Sequence, residues 1–365
     1  MFNRFENFWA KMDSARPTMS VPRQIIDLAV HKLLLNTDPR DYYQYKFYEG
    51  NQSWDEKSRY MSESGSRYFP WELNPLKYNV LFTDKFVQKT ILSGMGIPTP
   101  PLLTTVGVNK AISQREQLKA FMDRAPDDIV FKLISGASGT GFTRINKEDG
   151  RLSDGENTVT VEQLWDRFTP NLKKGYIVET AVRSAEVLHQ LNPSSLNTFR
   201  VLTFRLSEND WIPVVCYLKV GRAGARVDNR SAGGLVIRID EQGYTGIAMD
   251  SRDNNREYSV HPDTNVPLEG VLIESLQSVI DLAVTTSKKL PFMGYLGMDI
   301  ALTDAGPVII EINAKSGIRY IQNLYGPCVS QEMAAVLKKH TMFSRWDKTH
   351  MYPRYYLKRK RRVLW

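Results

Sequence analysis

The chain has 365 residues, with 48 Lys+Arg against 40 Asp+Glu, 42% apolar content and 24% charged, an ordinary globular mixture long enough for two or three domains. That balance excludes collagenous, coiled-coil and disordered chains, and no run nears the roughly 18 consecutive apolar residues of a membrane-spanning helix. The net charge of +8 is concentrated at one end: from Phe343 to Trp365 eight basic residues face Asp347 alone, leaving the body close to neutral.

Residues 1–80 read as a helical accessory region. Phe2, Phe5, Trp9 and Met12 recur at helical spacing, as do Ile25, Ile26, Leu28, Ala29 and Leu33. An aromatic, polar stretch follows through Tyr42, Tyr43, Tyr45, Phe47, Tyr48 and Trp54. The first pattern either docks its apolar stripe on the chain itself or lies on a membrane surface. Arg4, Glu6, Asn7 and Lys11 interrupt it, so no signal-peptide core is expected and the cytoplasm is the expected compartment.

From Asp84 a helix is predicted to Met95, stopped by Gly96, after which Pro98, Pro100 and Pro101 force extension. Next come strand Leu102–Val106, helix Ser113–Arg124, strand Asp128–Ile134, helix Val161–Phe168 and strand Tyr176–Glu179. A second α+β unit follows: strands Thr198–Arg205, Pro213–Val220 and Leu235–Asp240, a long helix Leu268–Leu290, then two strands from Leu296 and Pro307. The expected division is therefore 1–80, 81–182, 183–342 and a basic tail 343–365, with a cleft between the two α+β units. The tail interleaves Trp346, Tyr352, Tyr355, Tyr356 and Trp365 with its cations. It either packs on its own domain or meets an anionic glycan, a membrane surface or nucleic acid.

Some chemistries drop out early. Cys216 and Cys328 are too few for a disulfide framework or a thiolate zinc site and are expected to be reduced and structural. The five histidines lack metal-ligand spacing, and no Gly-x-Ser-x-Gly elbow is present.

Two segments do suggest a site. Gly297 to Thr303 and Pro307 to Asn313 flank Asp304-Ala305-Gly306 and read as a hairpin. If Thr303 faces Pro307 across a three-residue loop, antiparallel pairing sets Asp299 opposite Glu311, with Asn313 on the same face. Opposed carboxylates with Cβ atoms about 4.5–5.5 Å apart repel unless a cation lies between them. Mg²⁺, which takes hard oxygen ligands, suits them; the alternative is an exposed polar hairpin face, because a one-residue change of register separates the pair. The second segment, Ser135 to Gly141, follows a strand and carries Gly136, Gly139 and Gly141. Its backbone N–H groups, with Ser138 and Thr140, can turn toward a phosphate, but the P-loop spacing is absent and a plain hairpin turn fits equally. Lys132 lies within the apolar strand Ile129 to Ile134, and Lys219 ends the apolar run Val214 to Leu218. Each either snorkels to water or needs an anionic partner such as a nucleotide phosphate.

Taken in chain order, a lysine after Asp84, a strand lysine with a glycine-rich loop, Tyr176-Ile177-Val178-Glu179, a second strand lysine, Gly297-x-Asp299 and Glu311-x-Asn313 resemble the ATP-grasp superfamily, from Thr83 to about Pro327. The run from Asn197 to Thr203, with Asp228-Asn229 and Gly233-Gly234, resembles its sugar-transfer-associated branch. The resemblance implies an α+β fold whose two subdomains grip ATP between antiparallel sheets. It implies that Lys85 and Lys132 hold the α and β phosphates, while Ser138, Gly139, Thr140 and Gly141 lie over them as a mobile loop. Glu179, Thr180, Ala181 and Val182 would bracket the adenine through backbone groups, and Glu186 would bind the ribose hydroxyls. Lys219 would approach the γ-phosphate, with Asp299, Glu311 and Asn313 ligating two Mg²⁺ ions. Arg200, Arg222 and Arg226 would serve the developing anion. Several family members carry arginine just before the first metal aspartate, where this chain has Met298, so Arg200 is expected to supply that charge.

The implied reaction is ATP-dependent ligation. A carboxylate takes the γ-phosphoryl group, and an amine attacks the acyl phosphate to give an amide, ADP and phosphate, on a sugar or amino acid destined for a surface polysaccharide. Three other functions remain open: phosphoryl transfer to a hydroxyl, nucleotide binding without turnover, and nucleic-acid binding through the tail.

Overall fold

The computed structural model describes residues 9–35, 37–136, 139–229, 232–250, 252–253, 255–319, 321–337 and 339. Phe2, Phe5, Ser138 and the basic tail 343–365 lie outside the described residues.

The first sheet contains β1 (Leu102–Val106), β2 (Asp128–Leu133), β3 (Thr143–Glu148), β4 (Arg151–Ser153), β5 (Thr158–Val159) and β6 (Tyr176–Thr180). Their order is β1-β6-β2-β3-β4-β5, and every neighbouring pair is antiparallel. Leu118 and Phe121 of helix Arg115–Arg124 and Leu164 and Phe168 of helix Val161–Phe168 share a core with Phe131, Tyr176 and Val178. The short strands β3 to β5 escape apolar periodicity because they are largely polar. Their clue is Asp149-Gly150, which takes φ 48° and 74° between β3 and β4, as a two-residue hairpin turn requires.

The second sheet holds β7 (Thr198–Arg205), β8 (Trp211–Val220), β9 (Leu235–Ile239), β10 (Thr245–Asp250), β11 (Arg256–Tyr258), β12 (Tyr295–Thr303) and β13 (Gly306–Asn313). Its order is β11-β10-β9-β8-β7-β12-β13, again antiparallel throughout. Both faces are covered, so its strands read as nearly continuous apolar runs. Phe199, Val201, Leu218 and Val220 pack with Val279 and Ala283 of helix Leu276–Lys288. Leu202, Phe204, Tyr217 and Tyr295 pack on the other side with Met61, Phe69 and Leu73 of the accessory region.

Two expectations need correction. The helix predicted from Leu268 begins only at Leu276. Gly270 has φ 80°, and its N–H bonds to the Thr245 carbonyl; Leu268 and Ile273 are buried from a loop laid on the sheet, which imitates helical periodicity. Helix Val21–Leu35 forms, yet Ile26 and Leu33 are 66% and 80% exposed while Gln24 and His31 are buried. It docks through polar bonds: the Gln24 amide donates to the Met12 and Met19 carbonyls, and its oxygen accepts from the Tyr43 hydroxyl.

Cys216 and Cys328 are free thiols, each pushed up to about 12 by burial. Among the described residues, no helix is long and apolar enough to cross a membrane.

Candidate active site

A cavity of 1020 Å³ opens between the sheets, lined by Val130, Lys132, Arg144 and Thr180 on one side and by Arg200, Lys219, Asp299 and Glu311 on the other. The strands explain this charge. Alternate residues of a strand share a face. On β7 the face that carries Leu202 and Phe204 under the accessory helices continues to Arg200; on β8 the face of Tyr217 continues to Lys219; on β12 the face of Tyr295 continues to Asp299. The accessory region covers one half of that face and leaves the charged half open to the first sheet.

Asp299 pairs with Glu311 across the hairpin, by a different route from the one expected. Thr303 faces Gly306 rather than Pro307, so the turn is two residues, Asp304-Ala305. That register would set Asp299 against Ile310. A bulge at Ile310 intervenes, since Ile300 pairs with Ile309 and Asp299 with Glu311, and such bulges re-aim side chains beside active sites.

The opposed carboxylates are compensated by side chains. Arg200 donates from Nε and Nη2 to the two Asp299 oxygens at 2.6 and 2.8 Å, and the Lys219 ammonium lies 3.0 Å from Asp299. Burial by itself would raise the Asp299 carboxyl, but these two cations hold it well below the usual carboxylate range. Burial also works against the charge on Lys219, and Asp228 and Asp299 overcome it, so its pKa is raised. Asp228 is raised by burial while accepting from the Thr198 N–H at 2.9 Å. Lys85, at the start of helix Lys85–Gly94, sits 3.1 Å from Glu311 and donates to the Gly136 carbonyl at 2.8 Å.

Lys132 does not simply snorkel to water. It donates to Glu179 at 2.7 Å, and the other Glu179 oxygen lies 2.9 Å from Lys89. Burial would raise the wholly buried Glu179 carboxyl, but Lys132 and Lys89 hold it below its ordinary value; burial brings Lys89 down to about 8. The Glu179 carboxylate is thus an internal brace for two lysines, while Thr180, Ala181 and Val182 line the cavity. Gly139 and Thr140 also line it. Gly141, at φ 71°, packs so tightly that a Cβ would meet the Leu133 side chain at 2.7 Å.

Besides Glu179 and Gly141, two further predicted residues are absent from the cavity lining. Glu186 is exposed, 3.5 Å from Arg183, away from the cavity lining. Arg222 turns to Asp263, donating from Nε at 2.7 Å, because the loop after β8 carries it outward. Arg226 lines the cavity, paired with Glu156 at 3.0 Å. Sequence reasoning missed Lys89, Arg144 and Lys315. Lys89 had a signal, its position one helical turn after Lys85 on the same face. Lys315 had none.

Among the described residues, no three His, Cys, Asp or Glu side chains gather as a metal site. The Asp299, Glu311 and Asn313 set is two carboxylates and an amide, all lining the cavity, and these hard oxygens fit Mg²⁺ in donor chemistry. Glu311 is the more accessible carboxylate, its side chain 30% exposed against 9% for Asp299.

The sugar-transfer-associated ATP-grasp profile matches residues 66–338, and the chain belongs to that family. The match reaches into the segment read as accessory. Similar solved structures include an ADP complex of N5-carboxyaminoimidazole ribonucleotide synthetase, at 13% identity and TM-score 0.40 over 68% of this chain and 52% of that one. D-alanyl-alanine synthetase A from Vibrio cholerae is 12% identical, with TM-score 0.41 over 70% and 63%. VanG D-Ala:D-Ser ligase from Enterococcus faecalis is 15% identical, with TM-score 0.42 over 69% and 59%. The chain thus spans about half of the first and under two thirds of the other two. No curated protein matches it.

Proposed function

We propose that the protein is an ATP- and Mg²⁺-dependent carboxylate–amine ligase that forms an amide through an acyl phosphate. Its substrates would be a small-molecule carboxylate and an amine, one a sugar or amino acid in surface polysaccharide synthesis, and the cytoplasm would supply the ATP. The observation that carries this is the convergence of Lys85, Lys132, Arg200 and Lys219 with Asp299, Glu311 and Asn313 on one cavity whose lining, among the described residues, has no cysteine or histidine. Such a site works by positioning and charge neutralisation rather than through a protein nucleophile.

In this reading Lys85 and Lys132 hold the α and β phosphates, and Lys85 exchanges Glu311 for a phosphate. The backbone of Thr180, Ala181 and Val182 brackets the adenine, with Gly139 to Gly141 over the phosphates. Lys219 and Arg200 hold Asp299 ionised and supply positive charge where the γ-phosphoryl group leaves ADP. Mg²⁺ held by Asp299, Glu311 and Asn313 would neutralise phosphate charge. The substrate carboxylate takes the γ-phosphoryl group as the bond to the β-phosphate oxygen breaks, and the amine then displaces phosphate.

The test is ADP release with Mg·ATP, hydroxylamine and separate pools of amino acids and uronic acids. Hydroxamate that depends on one carboxylate pool is the expected result. ADP release without hydroxamate overturns the ligase reading in favour of phosphoryl transfer or hydrolysis.

A further inference from the structure

Among the described residues seven cationic side chains line the cavity, and six have carboxylate partners. Lys85 meets Glu311, Lys132 meets Glu179, and Arg144 meets Asp128. Arg200 and Lys219 meet Asp299, and Arg226 meets Glu156. Lys315 has no carboxylate partner among the described residues. Its ammonium rests 3.9 Å from the ring centroid of Trp71, on helix Glu63–Leu73 of the accessory region, a cation–π contact.

The loop carrying Lys315 is held from both sides. The Ala314 carbonyl accepts from the Asn74 amide at 2.7 Å, and the Ser316 hydroxyl accepts from Arg200 Nη1 at 3.3 Å. Ser316 lies so close to β12 that a Cβ on Gly297 would collide with it. Lys315 is therefore a placed charge, two residues beyond Asn313, on the side of the cavity that adjoins a small hollow it shares with Trp71, Asn74 and Asn79.

The geometry points to this side as the acceptor subsite, with Lys315 pairing with a carboxylate or phosphate on an anionic sugar and Trp71 positioning the ammonium. This rests on the proposed ligase reading and names its substrate class. A neutral acceptor covering Lys315 would strip water from an ammonium without giving it an anion, a penalty that selects against neutral sugars. The accessory region then has a functional part, since it supplies the aromatic platform Trp71, with Asn74 and Asn79 beside it.

The experiment is isothermal titration of the full chain, with saturating Mg·ADP, against glucuronate, galacturonate, glucose 6-phosphate and glucose. The anionic sugars are expected to bind and glucose not to; the uronates against the sugar phosphate distinguish the two anions. Lys315→Met should weaken the anionic sugar by about tenfold or more, as loss of a charge-assisted bond does, with ADP affinity unchanged. Lys315→Arg should retain binding, and Trp71→Leu should weaken it while Trp71→Phe restores it. Glucose binding as tightly as the anions, no panel sugar binding, or an unchanged affinity in Lys315→Met each overturns the proposal. ADP binding without sugar binding removes the subsite alone, whereas sugar binding without ADP binding removes the nucleotide reading and leaves the subsite.

Discussion

Asn74→Ala tests how the accessory region is attached. The buried Asn74 amide donates to the Tyr295 and Ala314 carbonyls, both at 2.7 Å, and its oxygen accepts from the N–H groups of Gly294 and Tyr295 at 2.9 and 3.0 Å. Truncation strands four backbone groups at the junction of helix Glu63–Leu73, β12 and the Lys315 loop. An orphaned buried polar group costs about 1–3 kcal/mol, so the simple sum would reach about 4–12 kcal/mol. The space vacated by the amide adjoins a small hollow lined by Asn74 and Ala314, and one water there could serve two to four of the groups. The expected loss is therefore about 3–4 kcal/mol, a large share of a domain stability of about 5–15 kcal/mol. Urea unfolding followed by far-UV circular dichroism and tryptophan fluorescence measures it. Asn74→Asp, which keeps the acceptor but turns a charge toward two carbonyls, should be no better. A loss below about 1 kcal/mol for Asn74→Ala would refute the clamp, since that is the size of one ordinary hydrogen bond.

Five further outcomes follow from the same geometry. Glu311→Ala should abolish Mg·ATP turnover with the fold retained, and wild-type turnover would sink the metal assignment; Lys132→Ala should weaken nucleotide binding, and an unchanged ATP affinity by titration would remove it from the site. Gly297→Ala should destabilise by about 1–3 kcal/mol through overpacking against Ser316, read as a lowered urea midpoint. In Glu179→Gln, Lys89 loses the anion that keeps it near 8 and should be neutral at pH 7. A lysine depressed in the fold makes stability rise with pH between its folded and unfolded values, a window that opens near 8 in the wild type and lower in the variant. The stability gap between them should therefore narrow by about 1 kcal/mol per unit of pKa difference as pH rises to about 8 and hold steady above it, and a gap that stays constant from pH 6 to pH 8 would be contrary evidence. On the acid side Asp299 and Glu179 are depressed, so their stabilisation is complete above the ordinary carboxylate range and is lost as pH falls through their folded values. Asp228, raised by burial, opposes this in part. The urea midpoint should fall from pH 5 to pH 3, and a flat profile would count against the ion-pair network.

Much of this molecule is written locally. Strand Leu102–Val106, helix Val161–Phe168 and strand Thr198–Arg205 appear where apolar spacing placed them, because side-chain period depends only on near neighbours. Lys132 and Lys219, set in apolar strands, call for anionic partners, and Glu179, Asp228 and Asp299 supply them. The Asp299–Glu311 pairing was also legible, although the tight turn and the Ile310 bulge that produce it were not. A bulge is a choice of hydrogen-bond register with little sequence signature.

The remaining features depended on chain segments far apart in sequence. Periodicity located helix Val21–Leu35 but could not tell that Gln24 and His31 face inward, because that follows from what it docks against. Glu186 and Arg222 had suitable chemistry, yet the short helix Glu186–His189 leaves the first exposed and the loop after β8 pairs the second with Asp263. Arg200, Lys219 and Lys85, which compensate the opposed carboxylates, are each brought in by another strand or helix. Which residues carry charge and which strands bury follows from local sequence; which charges neutralise one another, and that Lys315 rests against Trp71 with no carboxylate partner among the described residues, follows from the fold, because ion pairing depends on distance in space rather than along the chain.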